Sequence, residues 1–216
     1  MRAIEVSDIG TAWEESVRHV LRKGIPITTE DNEETLETDE LVVKVQHPSS
    51  GGYPKNLPYG QAYLSQYAHD LIYGGENDDR FAYTYHGRLF DYGDSGDEEC
   101  CIAYDQIGYI IGKLQEQPVS RRAQAITWNP FRDCCVKDVP CLQWTLFLIR
   151  DGKLNMKVLF RSNDILMAMY ANMYALVALQ AYVAHELNVP VGTYTHIVTV
   201  PHIYHKRDAN EVEKWL

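Results

Sequence analysis

Cys141 follows Val139-Pro140 and opens the run Cys141-Leu-Gln-Trp144, which reads as the start of a strand. A thiol at such a strand mouth is a small buried hydrophobe unless a cation stands near it. Here the chain turns at Asp151-Gly152, a two-residue hairpin signal, and returns to Arg161-Ser162 opposite the cysteine. A guanidinium beside a thiol favours the thiolate, which is the nucleophilic form. Arg161 can also grip a phosphate with two parallel hydrogen bonds while Ser162 adds a hydroxyl. Arg121-Arg122 is a second arginine pair at the mouth of another strand, and its plain alternative is a solvated surface pair. Covalent chemistry on a small phosphorylated substrate is the reaction type these residues could serve.

The elements that must position them follow from periodicity and breakers. Cys141–Arg150 and Lys153–Arg161 read as hairpin strands, and Ala123–Trp128 and Tyr194–Val200 as two more. Ile165–Ala184 is apolar all round; with Asn172 and Gln180 inside it and no basic flank, it reads as a buried central helix, not a bilayer span. In the first half, Thr11-Ala-Trp-Glu14 is a capping box for a helix ending at Gly24. Leu41–Val45 reads as a strand, Gln61–Tyr73 as a helix, and Asp105 as the cap of a helix ending before Pro118; Phe81–Phe90 is aromatic-rich and ambiguous. Asp208–Leu216 reads as a short terminal helix. Strands and helices do not alternate strictly, so the expected fold is α+β: one domain over 1–216, with a mixed or antiparallel sheet packed on the long helix.

Composition narrows the partners. The 216 residues carry 20 Lys+Arg against 30 Asp+Glu, a net charge of −10, which disfavours a nucleic-acid-binding face. The acids gather in two runs, Glu30 to Glu40 and Asp91 to Glu99, expected as solvated loops or edges. Outside these runs the body is near neutral, and a small anion is acceptable there. The N-terminus lacks the basic start and apolar core of a signal peptide. The 5 cysteines include two adjacent pairs and no C-x-x-C, so neither a disulfide framework nor a zinc finger is indicated. The expected setting is a reducing cytoplasm, with no membrane partner.

Taken in order, Arg121-Arg122, Trp128-Asn129, Pro140-Cys141, Arg161-Ser162-Asn163-Asp164, Asn172 and His202-Ile203-Tyr204 resemble the motif set of the thymidylate synthase family, at matching intervals. The resemblance implies transfer of a one-carbon unit to C5 of deoxyuridylate through a covalent adduct between Cys141 and C6. It implies that Arg161 and Ser162 hold the 5′-phosphate, joined by Arg121 and Arg122 from the other subunit of a homodimer with shared sites. Asn172 would read the base, because an amide offers both a donor and an acceptor. His202 and Tyr204 would contact the sugar hydroxyl, and Asp164 would support the base through its loop. The implied co-substrate is a reduced pterin carrying a methylene group, of the tetrahydrofolate or tetrahydromethanopterin type, with no metal.

The departures are specific. Leu142 stands where the family usually has histidine after the nucleophile, and the acidic run replaces an arginine-bearing loop after the first helix. His69-Asp70-Leu71-Ile72 is most similar to the family's glutamate-bearing helix, making Asp70 a candidate acid/base, with Tyr85 another. The chain reaches Leu216 soon after Tyr204, which resembles the short archaeal-type enzymes and leaves out the segment that closes over folate in typical members. The neighbouring reading is a 5-hydroxymethylase of a pyrimidine nucleotide (dUMP, CMP or dCMP); Asn172 favours uracil, since the deoxycytidylate enzymes carry aspartate there. More distant alternatives are a cysteine hydrolase, a non-catalytic nucleotide binder, and a metal site at His196, His202 and His205.

Overall fold

The computed structural model describes residues 1–75, 83–93 and 104–216. Its frame is a 6-stranded sheet in the order β1 (Arg2–Val6), β4 (Leu41–Val45), β9 (Val191–Val198), β7 (Lys153–Phe160), β6 (Leu142–Arg150), β5 (Gln124–Ile126). β1–β4 and β7–β9 pair in parallel and the other neighbours antiparallel, so the mixed sheet expected from the sequence is present. Alternation decides the inward face: Leu41, Val43 and Val45 on β4, Leu154, Met156, Val158 and Phe160 on β7, Tyr194 and Val198 on β9 are buried. β1 itself went unread in the sequence, because its short Arg-Ala-Ile-Glu-Val run has only Ile4 buried.

Against that face lies α6 (Met169–Glu186), buried along nearly all its length as an all-round apolar helix must be. Gln180 explains its internal amide: Nε2 donates to the carbonyls of Leu154 (2.8 Å) and Thr193 (3.1 Å), joining helix to sheet. Among the described residues no helix is long and apolar enough to cross a membrane. α1 (Ile9–Lys23) packs beside α6, where Trp13 donates to the carbonyl of Ile165 at 2.8 Å. Its cap is Asp8, which accepts from the Thr11 amide, so the expected Thr11 capping box is corrected. The carboxylate three residues earlier already satisfies the amide, and Thr11 falls inside the first turn.

α2 (Gln61–Tyr73), α3 (Tyr85–Phe90), α4 (Gln106–Glu116), α5 (Pro130–Asp133) and α7 (Ala209–Val212) complete the helices. Asp105 caps α4 as expected, accepting from the Gly108 amide. A second, 4-stranded sheet runs β2 (Ile25–Thr28), β3 (Glu34–Glu37), β10 (Pro201–Ile203), β8 (Asn163–Asp164). Of the first acidic run, Glu30, Asp31, Glu33, Asp39 and Glu40 lie in turns, bends and connecting residues as expected, but Glu34 to Glu37 form an inner strand because β10 pairs with it, a correction to the loop-or-edge reading there. Glu34 meets Lys206 and the adjacent Glu33 meets Arg207. Asp94, Asp97, Glu98 and Glu99 of the second run, Phe81, Cys100 and Cys101 lie outside the described residues.

Candidate active site

The β6–β7 hairpin turns at Asp151 (φ +51°) and Gly152 (φ +69°), two consecutive left-handed residues as a tight primed turn requires. Pairing runs regularly from Arg150↔Lys153 to Trp144↔Leu159, then shifts by one residue at Gln143, so that Leu142 meets Phe160. This bulge brings Cys141 level with Arg161, whose amide donates to the Cys141 carbonyl at 2.8 Å. Cys141 is half-buried, and its Sγ lies 3.9 Å from Ser162 Oγ.

Arg161 is held before any ligand arrives. Its Nε donates to the Pro140 carbonyl (3.1 Å), Nη2 to the Val139 carbonyl (3.0 Å) and Nη1 to Ser162 Oγ (3.3 Å). Ser162 Oγ lies between the two groups, 3.3 Å from Arg161 Nη1 and 3.9 Å from Cys141 Sγ. Because Oγ accepts from Arg161, its own hydrogen is free to point at the sulfur. The carbonyls of Val139 and Pro140 hold the guanidinium in place at the hairpin mouth.

Three phenols close in around the cysteine. Tyr85 Oη accepts from the Leu142 amide at 3.1 Å, and its ring lies 5.7 Å from that of Tyr83. Burial pushes the hydroxyls of Tyr67 and Tyr85 well up from the ordinary phenol value and that of Tyr83 up to about 12, and charge on Cys141 pushes each further. All three stay protonated at neutral pH. The sequence reading singled out Tyr85 alone. Tyr67 and Tyr83 were hidden among 15 tyrosines, Tyr67 looking like ordinary apolar spacing on α2. Asp70, one turn further along α2, bonds Gln66 at 2.7 Å and His69 at 3.4 Å, both on its own helix.

β8 and β10 lie parallel, with His202 level with Asp164. Asp164 Oδ1 accepts from the amides of Leu166 (3.1 Å) and Met167 (3.0 Å), and Oδ2 takes Arg207 Nη2 at 3.0 Å. That makes it a clamp on the turn leading into α6; burial raises its carboxyl while the cap bonds and Arg207 counteract. His202 Nδ1 lies 3.2 Å from the Val200 carbonyl, and its ring meets Tyr204 edge-on at 5.1 Å. Arg207 covers Tyr204 at 3.8 Å, and burial lifts that phenol too, with Cys141 among its charged neighbours. Asn172 is buried on α6, its Oδ1 2.9 Å from Tyr67 Oη.

Arg121 and Arg122 are not part of this corner. Both are exposed on the loop before β5, where the adjacent Ala123 carbonyl accepts from Phe147, well down β6 from the thiol. At about 3.3 Å per residue, the loop is roughly 20 Å along the strand from Cys141. Their guanidinium groups make no ion pair among the described residues.

No group of His, Cys, Asp and Glu side chains among the described residues could hold a metal ion. His196 is fully buried with both ring nitrogens taken, by Asn163 (3.0 Å) and Tyr194 (2.8 Å), which removes it from the imagined His196, His202 and His205 site.

A mixed-sheet α+β frame that presents a half-buried thiol beside a preset guanidinium and hydroxyl defines a group transferase. The chain belongs to the thymidylate synthase family, whose sequence profile matches residues 60–216; it is a one-carbon transferase. It is similar to a protein of Methanocaldococcus jannaschii named "Putative thymidylate synthase", 40% identical over 220 residues, covering 100% of this chain and 96% of that one. A relative of the same name from Methanosarcina acetivorans is 37% identical over 94% of this chain and 89% of its own, and one from Methanothermobacter thermautotrophicus is 31% identical over 99% of each.

Proposed function

We propose that the enzyme makes thymidylate from deoxyuridylate, with Cys141 as the nucleophile. The observation that carries this reading is the Cys141–Ser162–Arg161 contact at the hairpin mouth, with Sγ 3.9 Å from Oγ and Oγ 3.3 Å from the guanidinium. The thiolate forms a bond to C6 of the pyrimidine, and the C5=C6 electron pair moves toward C5 and O4, leaving C5 nucleophilic. After the new carbon is attached, C5–H leaves as a proton and the carbon's bond to its donor breaks, the pair staying on the donor. Addition of hydride, or of water in the neighbouring reading, then restores C5=C6 as the S–C6 bond breaks and returns its pair to sulfur. The neutral phenols of Tyr67, Tyr83 and Tyr85 surround the thiol with hydroxyl groups that can donate or accept. Arg161 and Ser162 take the 5′-phosphate, Asn172 reads the base, His202 and Tyr204 meet the sugar hydroxyl, and Asp164 holds the turn beneath them.

Arg121 and Arg122 serve the site of a second copy, so the working unit is a homodimer, each copy a single domain. A reduced pterin carrying a methylene group, of the tetrahydrofolate or tetrahydromethanopterin type, supplies the carbon and, for methylation, a hydride. The residues fit a flat heterocycle: Tyr63 is 53% exposed and stacks on Tyr67 with ring centroids 6.0 Å apart and planes 5° from parallel. Free thiols at Cys134, Cys135 and Cys141 support a reducing, cytoplasmic setting. The test is release of tritium from C5 of labelled deoxyuridylate. Cys141→Ser abolishes release while nucleotide still binds; release that survives overturns the nucleophile assignment. The product's mass separates thymidylate from the 5-hydroxymethyl nucleotide of the neighbouring reading.

A further inference from the structure

We infer that His196 and Asn163 are positioning residues for base selection: a buried hydrogen-bond chain through them holds the Asn172 amide in the orientation that reads uracil. The inference rests on the proposed role of Asn172 as the base reader. The chain joins four elements. Tyr194 Oη lies 2.8 Å from His196 Nδ1, Asn163 Nδ2 lies 3.0 Å from His196 Nε2, Asn172 Nδ2 lies 3.4 Å from Asn163 Oδ1, and Tyr67 Oη lies 2.9 Å from Asn172 Oδ1. His196 and Tyr194 are completely buried, Asn163 and Asn172 nearly so.

The direction of each bond follows from donor chemistry. An amide nitrogen can only donate, so His196 Nε2 accepts from Asn163. Burial depresses the imidazole to about 3, so the ring is neutral and carries its one proton on Nδ1, donated to Tyr194 Oη. Phe160, stacked at 4.6 Å, keeps the ring from turning. With Asn163 fixed this way, its Oδ1 accepts from Asn172 Nδ2, and Tyr67 donates to Asn172 Oδ1. Asn172 keeps one N–H and one oxygen lone pair unused. These match O4 and N3–H of uracil.

Turning the Asn172 amide over would present the reverse order, which suits the amino group and N3 of cytosine. That turn sets oxygen against oxygen at Asn163 unless Asn163 and the histidine tautomer turn as well. Uracil preference is thus tied to a tautomer deep in the core. A histidine packed there only to fill space would affect stability without touching base choice.

The experiment compares dissociation constants for deoxyuridylate and deoxycytidylate by calorimetry, which needs neither pterin nor turnover. Asn172→Asp should move the ratio toward deoxycytidylate, which tests the base reader itself. His196→Phe, which leaves Asn163 without its acceptor, should shrink the deoxyuridylate preference roughly tenfold. His196→Gln, whose oxygen can accept from Asn163, should keep most of it. A ratio unchanged in His196→Phe but shifted in Asn172→Asp overturns the positioning chain and leaves the base reader standing. A ratio unchanged in Asn172→Asp removes the base reader, and the chain's role with it. Should the phenylalanine variant fail to fold, 15N spectra of histidine-labelled wild type decide: a protonated Nδ1 with bare Nε2 at His196 is expected, and the opposite tautomer overturns the proposal.

Discussion

Arg121-Arg122 precede the first strand and Arg161 follows the last strand of the β5–β6–β7 stretch, yet the chain treats these two ends differently. Arg161 is tied to the Val139 and Pro140 carbonyls and to Ser162, so its geometry is set by the folded chain alone. Arg121 and Arg122 stand exposed on a loop where Arg122 is held through its backbone, its amide donating to Ser120 Oγ and its carbonyl accepting from Tyr109. A third arginine sharpens the contrast: Arg88 is buried against Asp133 at 2.5 Å, with the Thr127 carbonyl beside it. Burial with a partner marks an arginine the fold needs. Arg121 and Arg122, exposed and without an acidic partner among the described residues, are arginines the fold does not need; on the proposed reading they serve a second copy's site.

The largest effect should come from breaking each end in turn. Arg161→Ala, or Arg121→Ala with Arg122→Ala, should each remove nearly all turnover, since each takes away charge-assisted bonds to the phosphate. Mixing separates them. After subunit exchange, the Arg121/Arg122 variant mixed with Cys141→Ala should regain about a quarter of the wild-type sites, because one site per mixed dimer is whole. Arg161→Ala mixed with Cys141→Ala should regain none, as both lesions fall in the same chain's corner. Recovery in the second mixture, or none in the first, would erase the distinction between the two ends.

Stability should rank the arginines in the other order. Asp133→Ala leaves Arg88 buried and unpaired and should cost about 3–5 kcal/mol in chemical denaturation. Arg121→Ala should stay within about 0.5 kcal/mol of wild type, as exposed substitutions do. A large loss at Arg121 would show that the loop is structural.

The last effect is a pH dependence in the core beneath the thiol corner. His196 is held neutral to about 3, whereas an unfolded histidine takes a proton near 6.5. The folded value is the lower one, so His196 contributes stability above pH 6.5 and loses it as pH falls toward 3. The slope for this one group reaches about 1.4 kcal/mol per pH unit. His196→Gln should flatten the decline of unfolding free energy between pH 6 and 4, measured against wild type. An identical slope in both proteins would mean that the ring is not sealed from water.

Elements built from neighbours in the chain were legible. The Asp151-Gly152 turn, the α2 span, the Asp105 cap and the buried helix are each written in a few adjacent residues, because turn geometry and helical periodicity are local. The ordered motifs placed Cys141 opposite Arg161 and Ser162 for the same reason: a tight hairpin converts sequence distance into register. Where the sequence misled, a competing partner had intervened, across the fold at β3 and only three residues away at Thr11. β3 is a strand because β10 lies beside it, and Asp8 displaced Thr11 as a cap.

What the sequence by itself determined is the family, the α+β class and the residues brought to the hairpin mouth, all of which rest on local pattern and order. Only the tertiary structure decided the bulge at Gln143, the gathering of Tyr67, Tyr83 and Tyr85, and the chain from Tyr194 to Asn172. A bulge leaves no mark on side-chain identity, and His196 meets Asn163 across 33 residues of sequence. Hydrogen-bond direction in a dry core depends on which donors and acceptors are left over after packing, and packing is a property of the whole fold.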